Sequence, residues 1–560
     1  MSSVDLRDPV GLEILWSRLI TITEESWVTL LRTAFSMIVG EAQGFGCELL
    51  DPDGGSLAHS PRSMPVFNLT LPRAVRGLIE RFPPETLEEG DVLATNDPWI
   101  CAGHLFDVAL VTPVFLRGRL VGLSGSIAHC SDIGGSRDTL AVRELYEEGL
   151  QIPPMKLYRR GEPNEDVLRM IDRNVRGGER VLGDLQAQLS ANQVGAQRLV
   201  ALMDEYGLSD LRELARVMGE VAERAMREAI AAVPDGVYED VLPCDAAGAG
   251  IFELRARVEV SGDRVRVDWV DPPPQTPRGG VNCTLSYTAA HTAYALKCLL
   301  TPDVPSNAGC FWPLAVEAPE GSILNCRYPA PVNSRTMVGW YCGPAIFRAL
   351  APALPERVQG FTGMPMSATA YGIEESGRVF NDSLFQGGGQ GAGAHGDGKS
   401  ALLFPTSAAS TPVELFETRT PLVVEAKELL PDSGGAGRHR GGLGQRVSVR
   451  KLHEDGGPVQ IGLLPQGVRT DIPGLFGGGA GRRGAIRFEG LEEGELPGLV
   501  ELRSGTDRLE LEMGGGSGYG EPTDRPLDEV QADFDAGLVT GEGLAAYGCR
   551  LNASGQVERS

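Results

Sequence analysis

Apolar residues recur every three or four positions in three stretches of the chain, which is the spacing of one buried helix face. The first stretch begins at Asp8 and Pro9, a capping carboxylate followed by a proline suited to the first helical turn. It predicts one long amphipathic helix that reaches Ile38, with a break near Thr23 as the alternative. The other two predicted helical stretches are residues 164 to 232, which end at Pro234-Asp235-Gly236, and Leu285 to Leu300.

In other parts of the chain the apolar residues alternate with a period of two, which indicates β-strands. Phe45, Cys47 and Leu49 would share one face of a strand that ends in the turn Asp51-Pro52-Asp53-Gly54. Further strands are predicted at Leu120 to Ala128, Phe252 to Val260 and Arg264 to Val270.

Short strands and glycine clusters dominate the sequence after about residue 357, with one last helix near 526–536. These elements predict an α+β fold: a large, mixed, multi-domain chain with N-terminal helices, a central helical segment and a strand- and glycine-rich C-terminal half. We expect three regions, 1–233 with N-terminal and central helices, 234–356 with mixed elements, and 357–560.

Charge and composition narrow the classes of function. The 51 basic and 75 acidic residues give a net charge of −24, which disfavours binding to nucleic acid or to anionic membranes. The N-terminus lacks an apolar signal region, and no run of 18 apolar residues occurs, so we expect a soluble, cytoplasmic protein. The ten cysteines form no C-x-x-C pair, which argues against a zinc ribbon or a dense disulfide framework.

The segment GAHGDGKS, residues 393–400, matches the phosphate-binding pattern G-x-x-x-x-G-K-[ST]. A true P-loop follows a buried strand and opens a helix, whereas Pro405 and a serine-rich run stand where that helix should continue. We therefore disfavour ATP binding here. In PDSGGAGRHRGGLG, residues 431–444, we expect the glycines to supply turns with positive φ. Arg438, His439 and Arg440 would lie in a solvated basic loop or meet an anionic ligand.

His104, Asp107 and His129 are candidate metal ligands. The spacing H-x-x-D lets two ligands converge if Gly103 allows a turn, and His129 ends the predicted strand that starts near Leu120. Imidazole and carboxylate groups suit Zn²⁺, Mn²⁺ or Fe²⁺, and three protein ligands leave a position for water or substrate. The alternative is that these side chains hydrogen-bond to each other or to the backbone.

Six phrases of the chain resemble the hydantoinase B/oxoprolinase family and occur in the family's order between about residues 8 and 548. They are NDPWICAGHLFDVALVTPVF, IAHCSDIGG, EEGLQIPPMKL, DVPSNAGC, PAPVNSRTMVG and LLPDSGGAGRHRGGLG.

The resemblance implies one half of an ATP-dependent enzyme. In this family an A-type subunit with an actin-like ATPase fold phosphorylates a carbonyl oxygen of a cyclic amide, such as a hydantoin, lactam or 5-oxoproline. The B-type chain supplies a divalent metal and water chemistry, and the related acetone and acetophenone carboxylases activate a ketone and bicarbonate instead. The resemblance therefore implies that a partner subunit, not this chain, uses ATP, in a hetero-oligomer such as (AB)2.

The resemblance also implies roles for individual residues. His104, Asp107 and His129 correspond to metal ligands, with Zn or Mn as the expected ion. Asn96, Asp97 and Asp132 lie in the matching phrases and would orient ligands or act as general base. Their alternative role is to cap turns.

The chain departs from the family at a further ligand. The family phrase D-F-S-x-A-L-F-D corresponds to GFGCELLD here, so Gly44 stands where the family has an aspartate. Glu48 lies four residues on, about 13 Å along an extended strand, and would need a bend or bulge to replace it. Cys130 stands where a second histidine often follows His129.

Three hypotheses follow from these observations. The first is the B-type subunit of an ATP-dependent cyclic-amide hydrolase, and the second is a subunit of an ATP-dependent ketone carboxylase. The third is a scaffold subunit that has lost the full metal site, which the glycine at position 44 favours.

Overall fold

The computed structural model describes residues 6, 8–374, 377–453, 457–492 and 494–560. Its helices are α1 (Pro9–Thr33), α2 (Met37–Gly40), α3 (Pro65–Arg81), α4 (Glu165–Asn174), α5 (Gly178–Tyr206), α6 (Arg212–Ala231), α7 (Leu285–Leu300), α8 (Thr336–Gly339), α9 (Cys342–Leu350), α10 (Val413–Arg419) and α11 (Leu527–Asp535).

The strands of the first half are β1 (Phe45–Leu50), β2 (Ser56–His59), β3 (Val92–Thr95), β4 (Asp107–Leu116), β5 (Arg119–His129), β6 (Met155–Arg159), β7 (Glu162–Pro163), β8 (Gly236–Ala246), β9 (Gly250–Ser261) and β10 (Arg264–Val270). Those of the second half are β11 (Leu314–Glu317), β12 (Met366–Ile373), β13 (Val379–Gln386), β14 (Leu422–Leu429), β15 (Gln445–Lys451), β16 (Val459–Leu463), β17 (Ala485–Phe488), β18 (Leu499–Leu502), β19 (Arg508–Glu512), β20 (Cys549–Leu551) and β21 (Val557–Arg559). Mixed helices and sheets confirm the predicted α+β class.

The first helix begins where the sequence predicts and ends earlier. The Asp8 carboxylate accepts hydrogen bonds from two backbone amides of the first turn, each at 3.2 Å, and Thr23 lies inside an unbroken helix. The predicted continuation to Ile38 is wrong, because the chain leaves the helix after Thr33 and Ser36 caps α2. A buried carboxylate of α5, Asp184, accepts hydrogen bonds from the two backbone amides of the linker at 2.8 and 3.2 Å.

A seven-stranded antiparallel sheet forms the first layer, in the order β2-β1-β5-β4-β3-β6-β7. Helices α1 and α5 pack on one face and α3 packs on the other. Phe45 of β1 stacks on Trp27 of α1 with ring centroids 5.0 Å apart, whereas Gly46 faces α3. Every residue of β1 is therefore buried, and the predicted strand has two buried faces.

Glu48 is a buried carboxyl group on the α3 side of β1, with 1% of its surface exposed. Neither of its oxygens has a hydrogen-bond partner among the described residues. Burial raises the pKa of Glu48 to about 8. An unfolded glutamate has a pKa of about 4.3. Between these two pH values the folded protein binds more protons than the unfolded chain, so stability contributed by this group is lost as pH rises toward 8.

We expect Glu48→Gln to flatten the loss of unfolding free energy between pH 5 and pH 8, since each unit of pKa difference corresponds to about 1.4 kcal/mol. Urea unfolding at the two pH values measures this loss. Glu144→Gln, at an exposed position, is the control and should keep the wild-type slope. An unchanged slope in Glu48→Gln would contradict the assignment.

The second sheet has the order β11-β10-β9-β8 and packs against α9, while α7 contacts both α9 and β11. Its strands and α7 confirm the elements predicted between residues 252 and 300, and Thr284 caps α7. The largest cluster of buried apolar side chains extends from Leu12 to Leu475, so all three predicted regions contribute to it. The division into 1–233, 234–356 and 357–560 stays a prediction. Across the described residues, none of the helices is both long and apolar enough to span a bilayer.

Extended glycine segments of the last third pack backbone against backbone. A Cβ atom added to Gly389 would lie 1.8 Å from the Gly442 carbonyl oxygen, and one added to Gly515 would lie 1.8 Å from the Ser433 carbonyl oxygen. The segments are joined by hydrogen bonds such as Gly389 N–H to Gly514 O, at 2.9 Å. At these glycines the contacts leave no space for a side chain. We use the name glycine core for the packed segments, which are residues 360–363, 387–391, 433–444, 474–481 and 513–518.

Two predictions for this region are wrong. None of the glycines at 434–444 has a positive φ, so they are needed for close approach and not for left-handed turns. Arg440 is not in a solvated loop: it is 5% exposed and pairs with Asp533 at 3.1 Å. Arg438 is exposed and donates to the Asp524 carbonyl oxygen. Residues 393–400 lie beside the glycine core, and turns follow them in place of the helix that a P-loop requires.

Candidate metal centre

The ends of two neighbouring strands bring the three candidate ligands together. Asp107 is the first residue of β4 and lies directly opposite His129, the last residue of β5. His104 precedes β4 in a turn that Gly103 makes with a φ of +87°. One ligand atom of each of the three residues lies within 4.8 Å of the other two. The convergence expected from the sequence is therefore present.

The contacts of His104 fit a bound cation. Its Nδ1 lies 3.3 Å from the Asn333 carbonyl oxygen, which accepts a hydrogen bond only if Nδ1 carries the proton. Nε2 then carries a lone pair, and it lies 2.8 Å from Asp107 Oδ2. That pair does not have hydrogen-bond geometry, and the buried Nε2 has no other partner among the described residues. A lone pair that faces a carboxylate at this distance is repulsive unless a cation compensates it, and either a metal ion or the Arg335 guanidinium, 2.7 Å from the same oxygen, would do so.

His129 completes the group. Its Nδ1 lies 2.9 Å from Asp107 Oδ1, and its ring stacks on Phe106 with centroids 5.2 Å apart and planes inclined by 7°. Donor atoms that share one ion at bond lengths of about 2.0–2.2 Å lie about 3 Å apart. The two short separations to Asp107 agree with that arrangement, and 29% of the His129 side chain is exposed toward incoming ligands.

Arg335 also contacts the buried Asp107 carboxylate. Its guanidinium donates to Asp107 Oδ2 at 2.7 Å and to the Ala102 carbonyl oxygen at 2.9 Å, and it lies 4.3 Å from the centre of the Tyr287 ring. Burial alone would raise the pKa of Asp107, but the two neighbouring histidines and the charge of Arg335 lower it overall. Asp107 is therefore ionised at neutral pH.

Burial, reinforced by the charge of Arg335, lowers the pKa of His104 to about 4. His104 is therefore neutral at pH 7, which is the state that binds a metal. A neutral histidine beside an ionised aspartate provides a nitrogen and an oxygen donor of the kind that Zn²⁺ and Mn²⁺ accept. On these grounds the residues fit a divalent ion.

The three residues border a cavity of about 190 Å³. Apolar side chains form much of its wall, among them Ile38, Phe67, Phe106, Trp340 and Phe385. Its polar lining includes Asn333, Ser367, Thr369, Asn381 and Asp382, which come from the second half of the chain. The cavity therefore offers an apolar surface with a few polar groups next to the candidate ligands, as small-molecule sites usually do.

Asn96 and Asp97 shape the turn that carries His104. The Asn96 amide donates to the Leu105 and Leu150 carbonyl oxygens at 2.7 and 3.0 Å, and its oxygen accepts from the Ile152 amide at 2.6 Å. Asp97 caps the backbone amide of Trp99 at 3.0 Å. These contacts agree with the alternative role given in the sequence analysis, in which Asn96 and Asp97 cap turns.

Asp132 is 2% exposed, and both of its oxygens are bound. They accept hydrogen bonds from the Gly134 amide at 2.7 Å, the Arg176 guanidinium at 2.9 Å and the Asn381 amide at 3.3 Å. Neither Asp132 nor Asn96 or Asp97 lines the cavity. The catalytic role expected for these three residues stays a prediction.

The position of the missing family aspartate lies beside the candidate centre. The Gly44 carbonyl oxygen accepts a hydrogen bond from the His129 amide at 2.9 Å, and a Cβ atom added to Gly44 would lie 3.5 Å from His129 Cβ. Glu48 does not replace it, because β1 pairs with β5 from Phe45 to Leu50 in unbroken register. Cys130 is 2% exposed, and burial raises the pKa of its thiol well above the usual range.

The sequence pointed to the three candidate ligands but not to Arg335 and Asn333, which contact them, or to Tyr287, which contacts Arg335. Arg335 and Asn333 lie in the phrase PAPVNSRTMVG, whose agreement with the family was the only signal for them. They lie about 230 positions from the candidate ligands along the chain, so local spacing in the sequence could not predict these contacts.

Comparison with known proteins agrees with the fold. The chain is 28% identical over 578 residues to the B-type subunit of a putative D-/L-hydantoinase from Pseudomonas sp. (strain NS671), covering 98% of this chain and 96% of that one. It superposes on the crystal structure of an ATP-dependent caprolactamase from Pseudomonas jessenii with a TM-score of 0.89 and 29% identity, covering 99% and 98% of the two chains.

An acetone carboxylase structure shares the fold at a TM-score of 0.84 and 19% identity, covering 99% of this chain and 81% of that one. A model of the hydantoinase B/oxoprolinase family matches residues 8–522, and the chain belongs to that family.

Proposed function

We propose that this chain is the B-type subunit of an ATP-dependent cyclic-amide hydrolase. It would hydrolyse a carbonyl-phosphorylated lactam or hydantoin that an A-type ATPase subunit makes. The observation that carries the proposal is the convergence of His104, Asp107 and His129 on one side of an apolar cavity. Two of the compared relatives, a hydantoinase subunit and a caprolactamase, are named for cyclic amides.

His104, Asp107 and His129 would hold the divalent ion. Such an ion lowers the pKa of a bound water toward about 7 and polarises the oxygen that it contacts, which supplies a nucleophile at neutral pH. Zn or Mn suits this donor set best.

The other residues of the site position these groups. The Asn333 carbonyl oxygen fixes the tautomer of His104, and Arg335 fixes the plane of the Asp107 carboxylate. The apolar wall of Phe67, Phe106 and Trp340 would hold the carbon ring of a lactam and exclude bulk water. Phe106 also keeps the His129 ring in place by stacking.

The proposed complex assigns ATP to the partner subunit, in an assembly such as (AB)2. The Pseudomonas hydantoinase relative is named as one subunit of its enzyme, which supports a partner for this chain. The match to acetone carboxylase keeps the ketone carboxylase as the second candidate, but it supports only a shared fold.

Reconstitution with the A-type partner tests the choice between the two enzymes. If the proposal is correct, ATP consumption depends on a lactam or hydantoin and yields the ring-opened acid. ATP consumption that requires a ketone together with bicarbonate would overturn it in favour of carboxylation. Substoichiometric metal in the purified protein, together with complex activity that His104→Ala does not change, would favour a scaffold role.

We expect Gly44→Asp to raise the affinity for the divalent ion at least about 10-fold, because it restores a carboxylate beside His129. The new Cβ would lie 3.1 Å from the Ile38 carbonyl oxygen, so a shift of a few tenths of an ångström should accommodate it. Competition with a fluorescent chelator measures the affinity. Gly44→Asn is the matched control, with the same size and no charge. Equal affinities in the two variants would show that position 44 does not contact the ion.

A further inference from the structure

A second and larger cavity, of about 610 Å³, lies between α3, α6, α7 and the turn after β1. It shares no lining residue with the cavity at the candidate metal centre, within the part of the chain that the structure describes. Four arginines line it: Arg73 and Arg76 of α3, and Arg212 and Arg216 of α6. Such a concentration of positive charge is unexpected in a chain with a net charge of −24.

The two arginines of α6 already have carboxylate partners. Arg212 pairs with Asp53 at 2.9 Å and with Asp210 at 3.1 Å. Arg216 pairs with Glu213 at 2.7 Å and with Glu220 at 2.5 Å. Their charges are therefore compensated within the protein.

Arg73 and Arg76 differ from them. They lie three residues apart on α3, and neither makes a hydrogen bond or an ion pair with any described residue. Arg73 is partly buried, and burial together with the charge of Arg76 lowers its pKa. Arg76 is exposed, and its charge repels that of the partly buried Arg73, which costs folding free energy unless an anion compensates the two charges.

The acidic residues of the cavity wall do not provide that compensation. Asp51 accepts hydrogen bonds from the backbone amides of Asp53 and Gly55 at 2.9 and 2.8 Å, which hold it in the turn after β1. Asp53 is the partner of Arg212. Among the lining residues, the four arginines outnumber the two aspartates, Asp51 and Asp53, so positive charge is in excess.

We propose that this cavity binds a small phosphate-bearing molecule whose phosphate group pairs with Arg73 and Arg76. One guanidinium group can donate to two oxygens of a phosphate at once, so two adjacent arginines suit a phosphate dianion. The cavity is larger than one phosphate requires, and the aromatic rings of Phe311 and Trp312 at its wall can contact an organic remainder. The inference does not depend on the proposed function of the metal centre.

Calorimetric titration of the full-length protein, in the assembly in which it purifies, tests the site with inorganic phosphate and with ADP at a fixed, low chloride concentration. We expect saturable binding, and tighter binding of ADP than of phosphate would mean that the second phosphate group or the nucleoside of ADP also contacts the cavity. Binding of neither probe above the chloride background would overturn the proposal.

The variant Arg73→Gln/Arg76→Gln should weaken binding of the probe at least about 10-fold, which corresponds to about 1.4 kcal/mol. Arg169→Gln/Arg173→Gln removes the same charge from the exposed face of α4 and should bind like the wild type. Equal losses in the two double variants would show unspecific attraction and would also overturn the site. If the double variant folds poorly, the single variant Arg76→Gln, at an exposed position, replaces it in the test. It should show an intermediate loss of binding.

Discussion

Replacement of His104 by alanine should remove the divalent ion from the purified protein and lower lactam turnover by more than about 100-fold. Loss of a group that only supports a ligand already costs about 10- to 100-fold, and His104 would be a ligand itself. Its buried Nε2 lies 2.8 Å from Asp107 and has no hydrogen-bond partner among the described residues. Elemental analysis of the dialysed protein and steady-state kinetics of the reconstituted complex measure the two effects.

His395→Ala is the matched control for this variant. His395 is exposed, with 78% of its side chain accessible, and lies outside the cavity of the candidate metal centre. We expect wild-type metal content and turnover. If His104→Ala keeps a full equivalent of metal and its activity, while its thermal unfolding is unchanged, the three residues form only a hydrogen-bonded group.

Replacement of Gly389 by alanine should destabilise the protein by about 3 kcal/mol or more and lower the soluble yield. The added Cβ would lie 1.8 Å from the Gly442 carbonyl oxygen, and the neighbouring atoms are backbone atoms that side-chain rotation cannot move. The substitution would push residues 387–391 away from Gly442, whose amide donates a hydrogen bond to the Gln390 carbonyl oxygen at 2.8 Å. Chemical unfolding measures the loss.

Gly396→Ala provides the comparison for Gly389→Ala. Gly396 lies in the adjacent loop, a methyl group added there would have no atom within 4 Å, and its φ is not positive. Its replacement should change stability by less than about 0.5 kcal/mol. Similar losses in both variants would mean that the close approach of backbone atoms at Gly389 is not the reason that glycine is required there.

The elements that could be predicted from the sequence are those with strong local signals. Asp8 with Pro9 determined the start of α1, and Leu285 to Leu300 is a helix with the predicted bounds. The end of α1 was missed because a carboxylate 148 positions away, that of Asp184, accepts the hydrogen bond of the Ser36 amide. A single-sequence pattern carries no information on such a contact.

The same distinction applies to the site. His104, Asp107 and His129 could be found because two of them are close in sequence and the third ends the next strand. Arg335 and Asn333 come from a distant segment, so their contacts were not predictable from spacing. The role of the glycines was misjudged because close packing of several extended segments, as at Gly441 and Gly516, is a tertiary property.

The pairing of Arg335 with Asp107 joins residues 228 positions apart. During synthesis all three imidazole and carboxylate donors leave the ribosome well before the guanidinium that holds Asp107. A nascent chain that ends before Arg335 thus carries the donors without their support. Loading with the ion would therefore be a late event in biogenesis, which follows docking of the middle of the polypeptide onto its first sheet.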